Sequence, residues 1–124
     1  MDTRSDAPDA QRVYEVAAQI FLTLGTPQRL RLLSGLCQGE KSVNALVAET
    51  GTTQSNVSQH LAHLYRAGLV ARRRDGQQVF YRIHNERAAM LCRAVCTQVA
   101  IELDDPEAVP RAERLITPHD STHD

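Results

Sequence analysis

Hydrophobic residues recur every three or four positions along five stretches of the chain, the spacing that places side chains on one face of an α-helix. The first stretch runs from about Gln11 to Gly25, and the fifth ends near Leu103. Each stretch after the first follows a residue whose side chain can accept hydrogen bonds from the free N–H groups of a first helical turn. These capping residues are Thr26, Ser42, Thr53 and Asn85. The pattern therefore predicts five helices.

The periodicity changes after Gly68, between the fourth and fifth helices. Two short runs with β-strand character, Leu69–Arg73 and Val79–Ile83, flank the dipeptide Asp75-Gly76, which favours a tight hairpin turn. The predicted order of elements is α-α-α-α-β-β-α. We therefore expect a mainly α fold with a small β-hairpin.

The third and fourth predicted helices are separated only by a short turn that contains Gly51. A helix, a tight turn and a second helix form the helix-turn-helix signature, and a hairpin that follows them takes the place of a wing. Residues 11–103 are thus predicted to form a winged helix-turn-helix domain. Residues 1–10 are polar and are expected to be a disordered N-terminal segment, and residues 104–124 form a polar, acidic tail.

The fourth helix has polar side chains opposite its apolar stripe, and the hairpin is strongly basic. Gln, Ser and Asn side chains donate and accept hydrogen bonds, which suits base edges in the major groove, while arginines suit phosphates or the minor groove. A solvated helix and a solvated charge run would explain each feature alone, but together and in this order they favour DNA binding. The predicted contacts are Gln54, Ser55, Asn56, Ser58, Gln59, His60, His63, Arg72, Arg73, Arg74 and Gln77.

Charge is unevenly distributed, although 14 basic and 15 acidic residues nearly cancel. Between Gln54 and Arg93 seven arginines meet two acidic residues, and between Val99 and Asp124 seven acidic residues meet two arginines. Such a chain can present a basic face to DNA and still be soluble. No apolar run approaches the ~20 residues that span a bilayer, so we expect a cytoplasmic protein with reduced thiols and no membrane partner.

The first and last helices have apolar faces that the small central unit need not cover completely. Reading a palindromic duplex requires two copies of the recognition helix about one turn of DNA apart. We therefore expect a homodimer, built through the first and last helices, that binds a palindromic double-stranded operator. A monomer that folds these helices back on itself is the alternative, and it is disfavoured because symmetric dimers are the commonest oligomers.

The order of elements resembles the ArsR/SmtB family of bacterial winged-helix repressors. The residues that carry the resemblance are LGTPQRLRLLSGL from Leu24 and SNVSQHLAHLYRAGLV from Ser55, followed by a basic hairpin that ends in FYRI. The resemblance covers residues 13–103. It implies a dimeric repressor that occupies its operator until an inducer lowers its affinity.

Two metal sites of that family lack their ligands in this sequence. The Cys-x-Cys pair of some members would fall at Ser42 and Asn44, and neither residue is a thiol. The zinc-type site on the last helix would need Asp, His and Glu, and its positions hold other residues. They are Asn85, Arg87, Gln98 and Ile101. Sulfur-responsive members carry one cysteine on the second helix and one late on the last, a pattern that this chain matches only in part.

Three cysteines are the candidate sensing residues: Cys37 on the second helix, and Cys92 and Cys96 on the last. Cys92 and Cys96 lie four residues apart, on one face of a helix. Such thiols can bind a soft metal(loid) ion such as arsenite, with all three as candidate ligands, or react with oxidants and reactive sulfur. Inert packing in the core remains the alternative, because cysteine is among the most buried residue types.

The sequence therefore predicts a DNA-binding repressor that releases its operator when its thiols bind a soft metal(loid) or are modified. No cofactor is required. The alternative function is a constitutive or architectural DNA-binding protein whose cysteines are structural. An enzyme with a Cys–His pair fits poorly, because no cysteine lies in a recognisable nucleophile motif.

Overall fold

Five helices and three short strands make up the described part of the chain, residues 9–103 of a computed structural model. The predicted terminal segments, residues 1–10 and 104–124, lie outside it except for Asp9 and Ala10. The elements are α1 Ala10–Leu24, α2 Pro27–Leu36, β1 Lys41–Ser42, α3 Val43–Thr50, α4 Gln54–Arg66, β2 Val70–Asp75, β3 Gln78–Ile83 and α5 Glu86–Glu102. The predicted winged helix-turn-helix order is confirmed, with β1 as an additional strand.

All four predicted capping residues cap their helices. The Thr26 hydroxyl accepts from the N–H of Arg29 at 3.1 Å, and the Ser42 hydroxyl accepts from Ala45 at 3.0 Å. The side chain of Thr53 accepts at 3.1 Å, and that of Asn85 at 3.0 Å, each from the N–H three residues later. Each bond satisfies a donor that the helix itself leaves without a partner, which fixes where the helix begins.

The strands form one antiparallel sheet in the order β1-β3-β2. Arg72 of β2 and Lys41 of β1 both lie opposite Tyr81 of β3. Strand β1 is only two residues long and leads directly into α3. It has no alternating pattern of its own, because pairing with β3 alone defines it, and this is why the sequence did not predict it.

The core is made of leucines from the helices and apolar residues of the sheet. Leu32, Leu33 and Leu36 of α2 pack with the helix-turn-helix pair and with the wing. The other buried members are Leu24, Leu46, Val57, Leu61, Leu64, Leu69, Val70, Tyr81, Ala88 and Cys92. Burial of one such side chain contributes roughly 1.5–3 kcal/mol, so this cluster fixes α4 and the wing on a common support.

Helices α1 and α5 keep much of their apolar surface exposed. The apolar residues Ala88, Leu91, Cys92, Val95 and Val99 recur along α5 at helical spacing, but of these only Ala88 and Cys92 are buried. The stripe is divided because α2 packs against the part of it that contains Ala88 and Cys92. Exposed residues of α1 include Val13, Val16, Phe21 and Leu22. No helix within residues 9–103 is long and apolar enough to cross a membrane.

Candidate nucleic-acid interface

Helix α4 presents a polar face to solvent because its opposite face is held firmly in the core. Val57, Leu61 and Leu64 are almost completely buried. Gly51, in the turn before α4, has a left-handed conformation with φ of +73°, which glycine adopts without strain. Of the predicted contacts on α4, five have exposed side chains: Gln54, Ser55, Ser58, Gln59 and His63.

The remaining two predicted contacts of α4, Asn56 and His60, are half-buried and lie nearer the protein. The Nε–H of Arg29 donates to Nδ1 of His60 at 3.1 Å. Burial, and then the charge of Arg29, lower the pKa of His60 below its ordinary value. The Oδ1 atom of Asn56 is buried without a hydrogen-bond partner among the described residues. These two side chains therefore differ from the five exposed ones in their access to a ligand.

A groove of about 480 Å³ lies between α4 and the wing. It brings together two contacts predicted on the helix, Gln54 and Ser58, with all four predicted on the hairpin. Those four are Arg72, Arg73, Arg74 and Gln77. The groove is lined mainly by polar and cationic side chains. This combination suits a nucleic acid, which has an anionic phosphate backbone and polar base edges. The other five contacts predicted on α4 do not line it: Ser55, Asn56, Gln59, His60 and His63.

The three wing arginines have different surroundings. The guanidinium of Arg72 lies 4.0 Å from the centre of the Tyr65 ring. The neighbouring Tyr81, which lies opposite Arg72 in the sheet, raises the pKa of Arg72 above its ordinary value. Arg74 is exposed and makes no hydrogen bond or ion pair with any residue between positions 9 and 103. From the sequence we grouped the three arginines as one basic cluster, whereas in the fold each has a distinct environment.

Arg73 is paired with an acidic residue that the sequence did not single out. Its Nε donates to Glu40 at 2.9 Å and its Nη2 donates to the other carboxylate oxygen at 2.8 Å. These bonds to Arg73 hold the pKa of the Glu40 carboxyl below its ordinary value. The same guanidinium lies 4.5 Å from the centre of the Phe80 ring. Tyr65, also missed, could have been found, since it lies seven residues after Ser58 on the same helical face.

A second, much smaller cavity of about 20 Å³ lies between α2 and α5. All three predicted sensing residues line it: Cys37, Cys92 and Cys96. Burial, together with the two neighbouring thiols, raises the pKa of Cys92 to about 11. Arg93 lines the same cavity. Among residues 9–103, no group of three or more His, Cys, Asp or Glu side chains could hold a metal ion.

Residues 26–72, which contain α2, the helix-turn-helix unit and the first part of the wing, match the model of the bacterial regulatory proteins of the arsR family. The HTH-type transcriptional regulator Rv0081 of Mycobacterium tuberculosis is 37% identical over 102 residues, which cover 82% of this chain and 90% of that protein. The chain belongs to the ArsR family. As a member of that family it is a DNA-binding transcriptional regulator and not an enzyme.

Two solved structures of ArsR-type regulators extend the likeness to the fold. The transcriptional repressor BigR from Xylella fastidiosa is 36% identical with a TM-score of 0.64, and the match covers 79% of this chain and 96% of BigR. The homodimeric winged helix-turn-helix domain Mb0332 from Mycobacterium bovis is 32% identical with a TM-score of 0.66, over 82% of this chain and 91% of that domain. The predicted family and fold are thereby confirmed.

Proposed function

We propose that this ArsR-family repressor is a homodimer that leaves its operator when the thiols of Cys37, Cys92 and Cys96 react. The observation that carries the proposal is the single cavity that these residues line between α2 and α5. Helix α5 also exposes an apolar stripe on its other side. A change in the cavity would thus alter the helix through which two protomers are proposed to associate.

The homodimer is supported by the exposed apolar residues of α1 and α5. Phe21 and Leu22 of α1 are 60% and 70% exposed, and Val95 of α5 is 53% exposed. Apolar side chains of this size favour burial against a partner. The similar domain Mb0332 is homodimeric. Two copies related by a two-fold axis would present two α4 helices to successive major grooves of a palindromic operator.

The proposed DNA contacts come from α4 and the wing. Gln54, Ser55, Ser58 and Gln59 would read base edges, and Arg72, Arg73, Arg74 and Gln77 would contact the backbone or the minor groove. Asn56, His60 and His63 complete the proposed set. The support for it is the polar and cationic lining of the groove between α4 and the wing.

The size of the thiol cavity favours a small inducer. A volume of about 20 Å³ is little more than one water molecule needs, so it suits the addition of a single atom and not an organic ligand. No three-ligand metal group occurs within residues 9–103 of one protomer. Modification by reactive sulfur or an oxidant is therefore favoured over the binding of a soft metal(loid) such as arsenite.

Cys92 is not the residue that reacts first. With a pKa of about 11 it is protonated at neutral pH, and the thiolate is the nucleophile. The first attack is assigned to Cys37 or Cys96, which are half-buried. In the reactive-sulfur case, one thiolate attacks a sulfur atom of a polysulfide, becomes a persulfide and expels the shortened polysulfide. A coupling free energy of ~1–3 kcal/mol would then lower operator affinity by about one to two decades.

A constitutive DNA-binding protein with structural cysteines is the second candidate. The observation that favours it is the burial of Cys92, which is only 8% exposed and packs in the hydrophobic core. Buried, protonated thiols of this kind are usually inert.

The test uses a duplex selected by the protein itself from random sequences, and follows its release by fluorescence anisotropy after addition of polysulfide, peroxide or arsenite. The Cys37→Ser, Cys92→Ser and Cys96→Ser variants and their combination are compared with Ser34→Ala, which changes the same cavity without removing a sulfur atom. We expect release in the wild type and in Ser34→Ala, and none in the combined variant. Mass measurement distinguishes added sulfur from bound metal. Equal release in the combined variant would rule out thiol sensing, and no release in the wild type would favour the constitutive binder.

A further inference from the structure

The Arg73–Glu40 pair joins the wing to the segment that precedes β1. Two hydrogen bonds of 2.8 and 2.9 Å connect the guanidinium to both oxygens of one carboxylate. This is the arrangement in which an arginine also binds two oxygens of a phosphate. The pair is not deeply buried, since the side chain of Arg73 is 47% exposed and that of Glu40 is 30% exposed. Both side chains are therefore accessible to solvent.

Arg73 borders the groove between α4 and the wing, but its position in the strand places its side chain on the opposite face of the hairpin from that of Arg72. Residues directly opposite each other in a sheet share a face, so Arg72 lies on the face of Tyr81 and Arg73 on the face of Phe80. The first face is directed toward α4, where Arg72 stacks on Tyr65. Arg74 follows Arg73, and its side chain returns to the first face. The hairpin thus has cationic groups on both faces.

A hairpin that lies along a DNA groove has a sugar-phosphate backbone on each side of it. The minor groove is only about 6 Å wide, so both faces of such a wing come near phosphates. On the face of Arg72 and Arg74 the positive charge of Arg74 is not matched by an ion pair with any described residue. On the other face, Glu40 already holds Arg73, and it also lies near enough to Arg82 for that charge to act on it.

We propose that Glu40 acts as an internal competitor for phosphate, which holds Arg73 and so sets the affinity and salt dependence of DNA binding by the wing. This inference rests on the proposed binding of duplex DNA by α4 and the wing. The carboxylate occupies the place where a backbone phosphate would bind, and DNA must displace it before Arg73 can contribute a contact. The residue does not touch a base, so it acts equally on all sequences.

The experiment measures binding of the full-length protein to a labelled duplex of ~30 base pairs with mixed sequence, because phosphate contacts do not depend on sequence. Affinity is followed by anisotropy over a series of salt concentrations for the wild type, Glu40→Gln, Arg73→Ala and the double variant. Asp75→Asn is the matched control. It also removes one negative charge near Arg73, whose Nη1 lies 3.8 Å from Asp75, but it leaves the paired hydrogen bonds to Glu40 in place. Thermal unfolding monitors that each variant is folded.

If Glu40 competes for Arg73, Glu40→Gln should bind roughly two- to five-fold more tightly at low salt, in line with the strength of an exposed ion pair. Its plot of log affinity against log salt should steepen by about 0.9 for each protomer, the change expected for one more phosphate contact. Both effects should disappear when Arg73 is already alanine, and Asp75→Asn should produce a smaller change.

Three results would overturn the inference while leaving DNA binding itself intact. Weaker binding of Glu40→Gln would show that the pair positions the wing for DNA. Equal tightening with and without Arg73 would show simple charge repulsion, and unchanged binding would show that DNA does not reach the pair. Absence of binding by the wild type at low salt would contradict the proposed function as well.

Discussion

The Nε–H of Arg29 donates to Nδ1 of His60 at 3.1 Å, and this bond joins α2 to the helix proposed to enter the major groove. The Nη1 of the same guanidinium donates to the backbone carbonyl of Thr23 at 3.0 Å. One side chain therefore connects α1, α2 and α4. Because His60 must be neutral at Nδ1 to accept this bond, its protonation removes the connection to α4.

This contact predicts a pH dependence of stability. Burial and the charge of Arg29 lower the pKa of His60 from its ordinary value of 6.5, so the unfolded chain takes up this proton more readily than the folded chain. The stabilisation is complete above pH 6.5 and is lost as the pH falls through the folded-state pKa. Urea denaturation at a series of pH values should show that the free energy of unfolding declines as the pH falls from 6.5 through the folded-state pKa of His60. His60→Gln should reduce the decline, and an unchanged decline would contradict this assignment.

Arg74 should be a principal phosphate contact of the wing. Arg74→Ala is expected to reduce the slope of log affinity against log salt by about 0.9 for each protomer, with similar loss on all sequences. Arg12→Ala, which removes an exposed arginine of α1 outside the groove, should leave the slope unchanged. Anisotropy titrations over a range of salt concentrations measure both. If the slope changes equally in the two variants, Arg74 does not contact the DNA.

Val95→Glu should dissociate the proposed homodimer. The substitution places a charge in the exposed apolar stripe of α5, where burial against a partner would require its desolvation. Ala48→Glu adds the same charge to an exposed position of α3 and serves as the control. Sedimentation velocity should detect monomers for Val95→Glu and dimers for the control and the wild type. Dimers of undiminished affinity in Val95→Glu would place the interface elsewhere.

Gly51→Ala should destabilise the domain by roughly 1–2 kcal/mol, the cost of a left-handed conformation for an L-residue. The φ angle there is +73°, and no atom lies within 4 Å of an added Cβ, so the loss would come from the backbone alone. Gly25→Ala is the matched control, because Gly25 has a φ of −84° and its added Cβ would make only ordinary contacts. Chemical denaturation should show a lower free energy of unfolding for Gly51→Ala than for Gly25→Ala.

Local features of the fold were predictable from the sequence, and long-range contacts were not. Thr53 and Asn85 cap their helices through an N–H only three residues away, so the motif is complete within a short stretch. The Glu40–Arg73 pair joins residues 33 positions apart, and no local pattern indicates it. The division of the apolar stripe on α5 depends on how α2 packs against it. The meeting of Cys37 with Cys92 and Cys96 likewise results from that packing.

Strand β1 means that the wing is not an independent hairpin. Lys41 and Ser42 pair with Tyr81 and Phe80 of β3, and Ser42 also caps α3. The same two residues thus end the sheet and begin the helix-turn-helix unit, so the tilt of the wing relative to α4 is fixed within each protomer. A chimaera that exchanges wings between ArsR-family members should therefore exchange the segment corresponding to Lys41–Ser42 as well, since β3 of the transplanted hairpin would otherwise pair with a β1 segment from a different protein.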